Sequence, residues 1–328
     1  KSLKNLEVKM NEFELIKNYF QKISKNNPAA IKLNDDVFFD KKNKLAVSID
    51  TYNEKIHFPD FKKPHLIIKK IIRSSISDLI SKGVKPVYFF VSGSGNKKSF
   101  SKKNLKLISS SLKKEQKKYD IKLSGGDTTN SNKVSFSITT LGFAKKIIER
   151  NKAKINDDIY VTGNIGDSFM GLKIIKNKLN VNSKFKKYFL NKYYEPDLPF
   201  RIYKHINKFA NTSMDISDGL ISDMHKLINM QNLSFEIDIN KVPISNYLNF
   251  YLKNNRKKKY NFIYNGDDYQ VLFTAPLKKR NLIKKISKKM NQKITRIGKI
   301  NNPNKENLII FKNKPLNLAY FEGYSHKF

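Results

Sequence analysis

The chain has 328 residues, of which 39% are hydrophobic and 12% aromatic, a composition that excludes a wholly disordered protein. Its 65 Lys and Arg residues against 28 Asp and Glu residues give a net charge of +37, which first suggests a polyanionic partner such as nucleic acid. The absence of Cys excludes a disulfide framework, a thiolate nucleophile and a Cys-ligated metal site.

The N-terminal part of the chain predicts a mixed α/β domain. Apolar residues in three-four spacing predict a packing helix over residues 12–24, and alternation of apolar and polar residues predicts a strand over 44–51. Pro64 and Gly83 mark the start and the stop of a helix over 64–82 with an Ile-rich buried stripe. The other elements predicted here are strands over 85–91, 120–123 and 134–144 and a helix over 102–119.

A short basic and polar stretch over residues 148–156 predicts the boundary between two domains, 11–148 and 149–328. Residues 1–10, which end at the first Met, are interpreted as an N-terminal extension. The second domain is also predicted to contain both helices and strands. Its strands are predicted over 158–163, 234–239, 270–274, 295–300 and 307–311, and its helices over 167–176, 218–230 and 277–290.

The positive charge is spread along the chain and consists mostly of Lys. Only six of the 65 basic residues are Arg, whereas base-reading surfaces usually favour Arg, whose planar group pairs bidentately with guanine and phosphate. The longest basic run is Arg256-Lys257-Lys258-Lys259, and the abundance of Lys and Asn is typical of an AT-rich genome. We therefore expect no specific nucleic-acid partner.

The sequence carries no recognisable membrane or export signal. No uncharged run reaches the roughly 18 residues that a membrane-spanning helix needs. The N-terminal residues lack the apolar core of a signal peptide. These features predict a cytoplasmic protein without a membrane partner.

Acidic residues are few, and several of them end or follow apolar segments. This set comprises Asp35, Asp36, Asp50, Asp78, Asp127, Asp215, Asp218, Asp267 and Asp268. Hard cations such as Mg²⁺ prefer carboxylate and hydroxyl oxygens and usually share them with substrate phosphates. The set therefore indicates a metal site, with helix caps and Asp-Gly turns as the alternative, above all for Asp218 before Gly219.

Two short motifs suggest phosphate chemistry. Residues 124–129, Ser-Gly-Gly-Asp-Thr-Thr, place two glycines that allow close approach of an anion beside an Asp that can hold a metal, which predicts a nucleotide-phosphate loop. Residues 215–219, Asp-Ile-Ser-Asp-Gly, place two carboxylates around a Ser at the end of a strand, which predicts metal ligands beside a hydrogen-bond donor for a phosphate. An ordinary polar loop and a helix-starting turn are the respective alternatives.

Six segments of the chain, taken in order, are Asn-Asp-Asp at 34–36, Ser-Ile-Asp-Thr at 48–51 with His-Phe at 57–58, Ser-Asp-Leu at 77–79 with Lys-Gly at 82–83 and Pro86, Gly-Gly-Asp-Thr-Thr at 125–129, residues 157–172, and Asp-Ile-Ser-Asp-Gly-Leu at 215–220. In the same order they resemble six motifs of the thiamine-monophosphate kinase family, which are Gly-Asp-Asp, Ser/Thr-x-Asp-Thr…His-Phe, Ser-Asp-Leu…Met-Gly-Ala-x-Pro, Gly-Gly-Asp-Thr-Thr, Gly-Asp-x-x-x-Val-Thr-Gly…Gly-Asp-Ser…Gly-Leu and Asp-x-Ser-Asp-Gly-Leu. The resemblance runs from about Asn11 to the C-terminus.

The resemblance implies an α/β plus α+β protein with the two-domain PurM-like fold of the aminoimidazole-ribonucleotide synthetase superfamily. In that fold the sheet of the N-terminal α/β domain pairs with its twin in a homodimer, and the C-terminal domain is α+β. ATP would bind near the dimer interface, held largely by the N-terminal domain.

The implied activity is the ATP-dependent phosphorylation of thiamine monophosphate to thiamine diphosphate by direct in-line transfer, assisted by several Mg²⁺ ions. By the family pattern, the metal ligands would be Asp36, Ser48, Ile49, Asp50, Asp78, Asp127, Asp215 and Asp218. The ATP-binding residues would be Gly126, Asp127, Arg150 and Ser217, and those near the thiamine phosphate would be His57, Asp267 and Tyr324.

Departures from the family pattern fall mainly on the substrate side. Asp267 stands where the family usually has Glu, which shortens the carboxylate arm by one methylene. Ser325 with Lys327 alters the usual Gly-Tyr-Asp-His-Phe ending. Ile49 replaces a usual Thr whose backbone oxygen or hydroxyl lies near a metal, and Ser75 replaces a usual Asn.

Three alternatives stay open at this point. The first is another ATP-using enzyme of the same superfamily, such as an aminoimidazole-ribonucleotide or selenophosphate synthetase, although the lack of Cys argues against the selenophosphate enzyme. The second is a nucleic-acid-binding protein, suggested by the charge of +37. The third is an inactive homologue.

Overall fold

The computed structural model describes residues 10–317 and 323–324, which fold around two β-sheets. The first sheet contains β1 (Phe38–Asp40), β2 (Leu45–Asn53), β3 (Pro86–Gly95), β4 (Lys122–Asn130) and β5 (Ser135–Phe143). The second contains β6 (Asp158–Thr162), β7 (Thr212–Asp215), β8 (Ser234–Asp238), β9 (Val271–Ala275), β10 (Ile294–Asn301), β11 (Leu308–Phe311) and β12 (Lys314–Leu316). Their strand orders are β1-β2-β5-β3-β4 and β12-β11-β8-β10-β6-β9-β7.

The helices of this described part are α1 (Glu12–Leu15), α2 (Pro64–Ser81), α3 (Lys102–Tyr119), α4 (Asp167–Ile175), α5 (Ser183–Tyr194), α6 (Leu220–Leu227), α7 (Asn246–Asn254), α8 (Tyr260–Ile263) and α9 (Arg280–Met290). Short 3₁₀ segments cover Pro28–Leu33, Phe200–Lys204, Ile206–Lys208 and Leu277–Lys279, and a π-helical turn covers Ile16–Phe20. Within the same residues, no helix combines the length and the hydropathy that a bilayer span requires.

Helix α2 contacts both sheets. It packs on β2 and β5 of the first sheet and also contacts β7 of the second. Its Ile stripe, including Ile67, Ile71 and Ile76, is buried. Pro64 stands in the first turn, where no intrahelical amide donor is needed, and Gly83, with a φ of +77°, follows the helix end. The predicted helix over 64–82 is thereby confirmed, and it links the two halves of the molecule.

Among the described residues, the first sheet is covered on one face only. Along β2, Ser48 and Tyr52 are buried on the face that packs against α2, whereas Ile49 and Thr51 are exposed on the other face. Because successive side chains of a strand point to opposite faces, Asp50 shares the α2 side. One face of β2 therefore carries polar side chains into the space between the sheets.

The packing helix predicted over residues 12–24 is wrong in length and in role. The chain forms one α-helical turn, α1, and then a π-helical turn, and neither contains a buried residue. Phe13 is 42% exposed and Ile23 is 81% exposed. Three-four spacing defines an apolar stripe, but it does not supply an element for that stripe to pack against.

The segment 124–129 is part of strand β4, so the predicted loop after a strand over 120–123 is also wrong. Strand β4 pairs in parallel with β3, and Gly125 and Gly126 have φ values of +153° and +155°. A Cβ on Gly126 would lie 1.8 Å from the carbonyl oxygen of Val91. The glycine is therefore required by strand pairing, whereas the sequence suggested close approach of an anion.

The second half mixes helices and strands as predicted, with shifted bounds and additional helices. The helix predicted over 218–230 is shorter, because α6 begins at Leu220 and ends at Leu227. Helices α5 and α7 were not predicted from the sequence. The domain boundary over residues 148–156 stays a prediction.

Candidate active site

Three carboxylates from distant parts of the sequence meet between the two sheets. Asp36 follows the first 3₁₀ segment, Asp78 lies in the last turn of α2, and Asp215 ends β7. One carboxylate oxygen of each lies within 4.8 Å of the others. Contact of α2 with β7 accounts for the meeting of Asp78 with Asp215. We call these three residues the carboxylate cluster.

Hydroxyl groups and a fourth acid surround the carboxylate cluster. The hydroxyl of Ser48 donates a hydrogen bond to Asp78, and the hydroxyl of Ser77 donates one to Asp215. Asp50 is close enough for its charge to raise the pKa of both acids. The structure therefore brings five of the predicted metal-site residues to one place: the cluster itself, Ser48 and Asp50.

Burial and mutual repulsion raise the pKa values of these acids. Burial raises the pKa of Asp78 well above its ordinary value, and the charges of Asp50 and Asp215 add to the increase. Burial also raises the pKa of Asp215 to about 7, although the hydrogen bond from Ser77 opposes the change. A divalent cation would relieve this repulsion, and carboxylate oxygens are the ligands that Mg²⁺ prefers. The residues present therefore fit Mg²⁺.

Two basic residues, Arg150 and Lys82, contact Asp35 and Asp36 at the edge of the carboxylate cluster. The Arg150 guanidinium forms an ion pair with Asp36, and its backbone N–H donates to the Asp35 carboxylate at 2.8 Å. The Lys82 ammonium lies 2.7 Å from an oxygen of each of the two acids. Arg150, predicted to contact the nucleotide, thus lies beside a predicted metal ligand.

Asp218, a further predicted metal ligand, lies outside the three-residue cluster. Its carboxylate forms an ion pair with Lys226, whose ammonium also lies 2.9 Å from Asp223. Burial raises the pKa of Asp218 to about 6, with a contribution from the charge of Asp223. Its backbone carbonyl accepts a hydrogen bond from Tyr324 N at 3.1 Å. This arrangement places Tyr324 next to Asp218.

Asp127 and Gly126 lie at the far edge of the first sheet. Strands β5 and β3 separate β4 from β2, so at about 4.8 Å per strand Asp127 lies on the order of 14 Å across the sheet from Asp50. Asp127 is exposed, whereas the carboxylate cluster lies between the sheets. The Ile49 side chain is 69% exposed on the open face, opposite to the face that carries Asp50.

His57 and Asp267, the predicted substrate residues, are linked by a chain of contacts. The His57 carbonyl accepts a hydrogen bond from Tyr193 Oη at 3.4 Å. The Lys70 ammonium lies 4.1 Å from the centre of the Tyr193 ring and 2.7 Å from Asp267 Oδ1. Asp267 also accepts a hydrogen bond from Tyr269 Oη at 2.8 Å and donates its backbone N–H to the Ser217 carbonyl.

The sequence interpretation missed Lys70, Lys82 and Tyr193. Lys70 interrupts the apolar stripe of α2 one position before Ile71, and a charged residue at such a position is a usable signal of a buried ion pair. Tyr193 belongs to α5, which was not predicted. Ser325, named as a departure from the family ending, lies outside the described residues.

We expect the metal-free protein to lose stability as the pH rises from about 4 to about 7. The raised pKa values mean that the folded state binds protons more tightly than the unfolded state. This stabilising contribution is complete below the ordinary value of 3.8 and is lost as the pH passes about 6 for Asp218 and about 7 for Asp215. Thermal unfolding in EDTA across this pH range measures the loss, and millimolar Mg²⁺ should reduce it. Stability that rises with pH in EDTA would contradict the expectation.

Comparison with known proteins places the chain among kinases. The family described as AIR synthase related protein, N-terminal domain, matches residues 26–144. The thiamine-monophosphate kinase of Buchnera aphidicola subsp. Acyrthosiphon pisum (strain APS) is 33% identical over 331 residues, which cover 97% of this chain and 99% of the relative.

Two solved structures support the same relationship. AaThiL complexed with AMPPCP and TMP aligns with a TM-score of 0.82 at 27% identity, over 96% of this chain and 97% of that one. The thiamine monophosphate kinase of Aquifex aeolicus aligns with a TM-score of 0.76 at 26% identity, over 94% of this chain and 99% of that one. The predicted PurM-like fold, with helices and strands around two sheets, is thereby confirmed. On this nearly full-length relationship, the chain belongs to the thiamine-monophosphate kinase family.

Proposed function

We propose that the protein phosphorylates thiamine monophosphate with ATP and releases thiamine diphosphate and ADP. The observation that carries the proposal is the carboxylate cluster, in a chain that aligns over nearly its whole length with a thiamine-monophosphate kinase. The related AaThiL was solved in complex with AMPPCP, an analogue of ATP, and TMP. A nucleotide and a phosphorylated acceptor are therefore compatible with this fold at the same time.

The chemistry of this reaction suits a site built from acids. Donor and acceptor are both phosphates and repel each other, so catalysis depends on neutralising charge and aligning the two groups. The acceptor oxygen is already ionised at neutral pH, so no general base is needed to activate it. A dominant role for metal-binding carboxylates explains why the site needs no catalytic His or Cys.

Asp36, Asp78 and Asp215 would hold Mg²⁺, with Asp50 and the Ser48 hydroxyl beside them. When bound, Mg²⁺ neutralises the phosphate oxygens and orients them for in-line transfer. The protein contributes rigidity, because Ser48 and Ser77 fix the carboxylates of Asp78 and Asp215 by hydrogen bonds.

At the acceptor end, the Lys70 ammonium and the Tyr269 hydroxyl both bind Asp267. The Asp267 carboxylate is therefore held in one position, and its side chain keeps 25% of its surface exposed. We propose that this fixed carboxylate and His57 orient thiamine monophosphate, with Tyr324 at the neighbouring Asp218.

A direct assay tests the function. Purified protein is incubated with ATP, Mg²⁺ and thiamine monophosphate, and the products are separated by chromatography. We expect thiamine diphosphate and ADP in equal amounts, and none with EDTA. Thiamine, which lacks the acceptor phosphate, is the matched control and should give no product. Absence of thiamine diphosphate, with turnover of another phosphate acceptor, would instead favour a different enzyme of the superfamily.

We also propose that the first sheet pairs with a second copy of the chain. Its open face carries exposed large apolar side chains, which are Ile49, Tyr88, Phe90 and Phe143. The neighbouring strands β2, β5 and β3 contribute them, so they share one face of the sheet, and the rings of Tyr88 and Phe143 lie 6.3 Å apart. A patch of this kind is typical of an interface, and the identical sheet of a second copy offers a matching apolar face.

Phe90→Asp should shift the protein from dimer to monomer. The substitution places a charge in the centre of the apolar patch, where dimer formation would bury it without a partner. Light scattering after size-exclusion chromatography should give twice the chain mass for the wild type and the single chain mass for the variant. Leu105→Asp, at a 48% exposed residue of α3, is the matched control and should stay dimeric. A monomeric wild type would contradict the proposal.

A further inference from the structure

Lys82 is a lysine without solvent exposure at the edge of the carboxylate cluster. It follows the last residue of α2, and its side chain is fully buried. The ammonium lies 2.7 Å from Asp35 Oδ1 and 2.7 Å from Asp36 Oδ2, and it donates a hydrogen bond to the carbonyl oxygen of Ser213 at 2.7 Å. Three oxygens therefore lie at 2.7 Å from one nitrogen, the Ser213 carbonyl as a hydrogen-bond acceptor and the two carboxylates as ion-pair partners.

Burial of a lone ammonium is costly, so these three oxygens account for the position of Lys82. The same contacts also fix the acids. Asp36 forms an ion pair with Lys82 through Oδ2, which accepts no hydrogen bond from the described residues, and accepts one from Arg150 through Oδ1. Asp36 is thereby oriented while a carboxylate oxygen stays within 4.8 Å of those of Asp78 and Asp215.

Acidic side chains outnumber basic side chains at this site, which makes the positive charge of Lys82 important. Asp35, Asp36, Asp50, Asp78 and Asp215 lie together, and in the described part of the chain only Lys82 and Arg150 form ion pairs with them. The Lys82 ammonium lies between two of these acids, Asp35 and Asp36. Like a bound metal ion, it is a compact positive charge that has oxygen neighbours and no exposure to solvent. An uncharged residue at this position would leave Asp35 and Asp36 to be neutralised from outside.

We propose that Lys82 is a positioning residue that serves as a fixed cation of the site, in the place where a bound metal ion would otherwise be needed between Asp35 and Asp36. The proposal rests on the proposed function for its link to phosphoryl transfer. Its central claim concerns cation binding by the nucleotide-free protein, so it is tested without turnover.

The test compares Lys82→Met, which keeps an unbranched chain and removes the charge, with Lys82→Arg, which keeps the charge. Mn²⁺ serves as the probe, and the number of ions bound per chain is counted by the electron paramagnetic resonance signal of free Mn²⁺. We expect Lys82→Met to bind one more Mn²⁺ than the wild type, and Lys82→Arg to bind the same number as the wild type.

Thermal unfolding gives an independent measurement. Lys82→Met should melt below the wild type in EDTA and recover most of the difference in Mg²⁺. The Mg²⁺ concentration for half-maximal turnover should rise by about tenfold, the scale of one lost hydrogen bond to a charged group. Lys82→Arg, which keeps the positive charge, should have the same Mg²⁺ dependence of turnover as the wild type.

If Lys82→Met does not fold without metal, the double variant Lys82→Met with Asp35→Asn keeps the test decisive. Removal of one negative charge with the positive one restores the balance, so we expect wild-type Mn²⁺ stoichiometry and Mg²⁺-independent folding. A Lys82→Met protein with unchanged Mn²⁺ stoichiometry, destabilised equally in EDTA and in Mg²⁺, would overturn the proposal. If Lys82→Met binds one more Mn²⁺ than the wild type, as expected, but the wild type is inactive, the kinase function alone is refuted.

Discussion

Asp78→Asn should reduce turnover on the order of 10³-fold, the upper range for loss of one preorganised electrostatic contact, and at the same time stabilise the metal-free protein. Asp78 belongs to the carboxylate cluster, so its loss removes an oxygen ligand from the proposed Mg²⁺ site. Burial and the charges of Asp50 and Asp215 raise the pKa of Asp78, which shows that its ionised form is unfavourable without metal. The neutral amide removes that repulsion and can still accept a hydrogen bond from Ser48.

The gain in stability should depend on pH. Below about pH 4 the carboxyl group is neutral in both the folded and the unfolded wild type, so the substitution changes the stability little, and above that pH the gain should grow because the folded state holds the proton more tightly than the unfolded state. Near pH 8 the gain should reach about 1 kcal/mol or more, because one pKa unit corresponds to about 1.4 kcal/mol. In a chain of this size, 1 kcal/mol raises the melting temperature by roughly 2 °C.

Melting curves in EDTA at several pH values, together with initial rates in saturating Mg²⁺, measure both parts of this expectation. Asp238→Asn is a matched control, because Asp238 is paired with Lys241 in the second sheet, outside the cluster. The control should keep wild-type turnover. A destabilised Asp78→Asn protein with near wild-type turnover would show that Asp78 is a structural residue.

Local sequence patterns predicted α2 and the positions of the acids well. Proline, an apolar stripe and a glycine fix the bounds of α2 through backbone and side-chain properties that act within a few residues. Acids at the ends of apolar segments were also a sound signal. Asp36, Asp78 and Asp215 were named as metal ligands, and the structure brings them within 4.8 Å of one another.

Contacts between distant segments were not predictable in the same way. The net charge of +37 gave no sign that Lys82 and Lys70 are buried beside acids, because spacing identifies a face of a helix but not the residue opposite to it. The strand at 122–130 was missed for a related reason. Its two glycines suit an anion-binding loop as well as a strand, and only the neighbouring β3, with the Val91 carbonyl, decides between them.

Asp127 is the second position at which we expect a large effect, and it differs from Asp78 in its surroundings. It lies on the exposed edge strand β4, its carboxylate accepts a hydrogen bond from the next backbone N–H, and β4 and β3 run parallel. We propose that Asp127 binds at this edge the Mg²⁺ that the phosphates of ATP share. Asp127→Asn should therefore reduce turnover on the order of 10³-fold, since neutralisation of phosphate charge is the main catalytic demand.

The folded state should tolerate this substitution, because surface changes of this kind usually alter stability by less than about 0.5 kcal/mol. The melting temperature in EDTA should stay close to that of the wild type, in contrast to Asp78→Asn. Calorimetric titration with AMPPCP and Mg²⁺ should show weakened nucleotide binding. Asp120→Asn, at an exposed acid paired with Lys85 just before β4, is the matched control and should bind and turn over normally. Tight AMPPCP binding and wild-type turnover by Asp127→Asn would place the nucleotide away from β4 and leave the carboxylate cluster as the whole of the metal site.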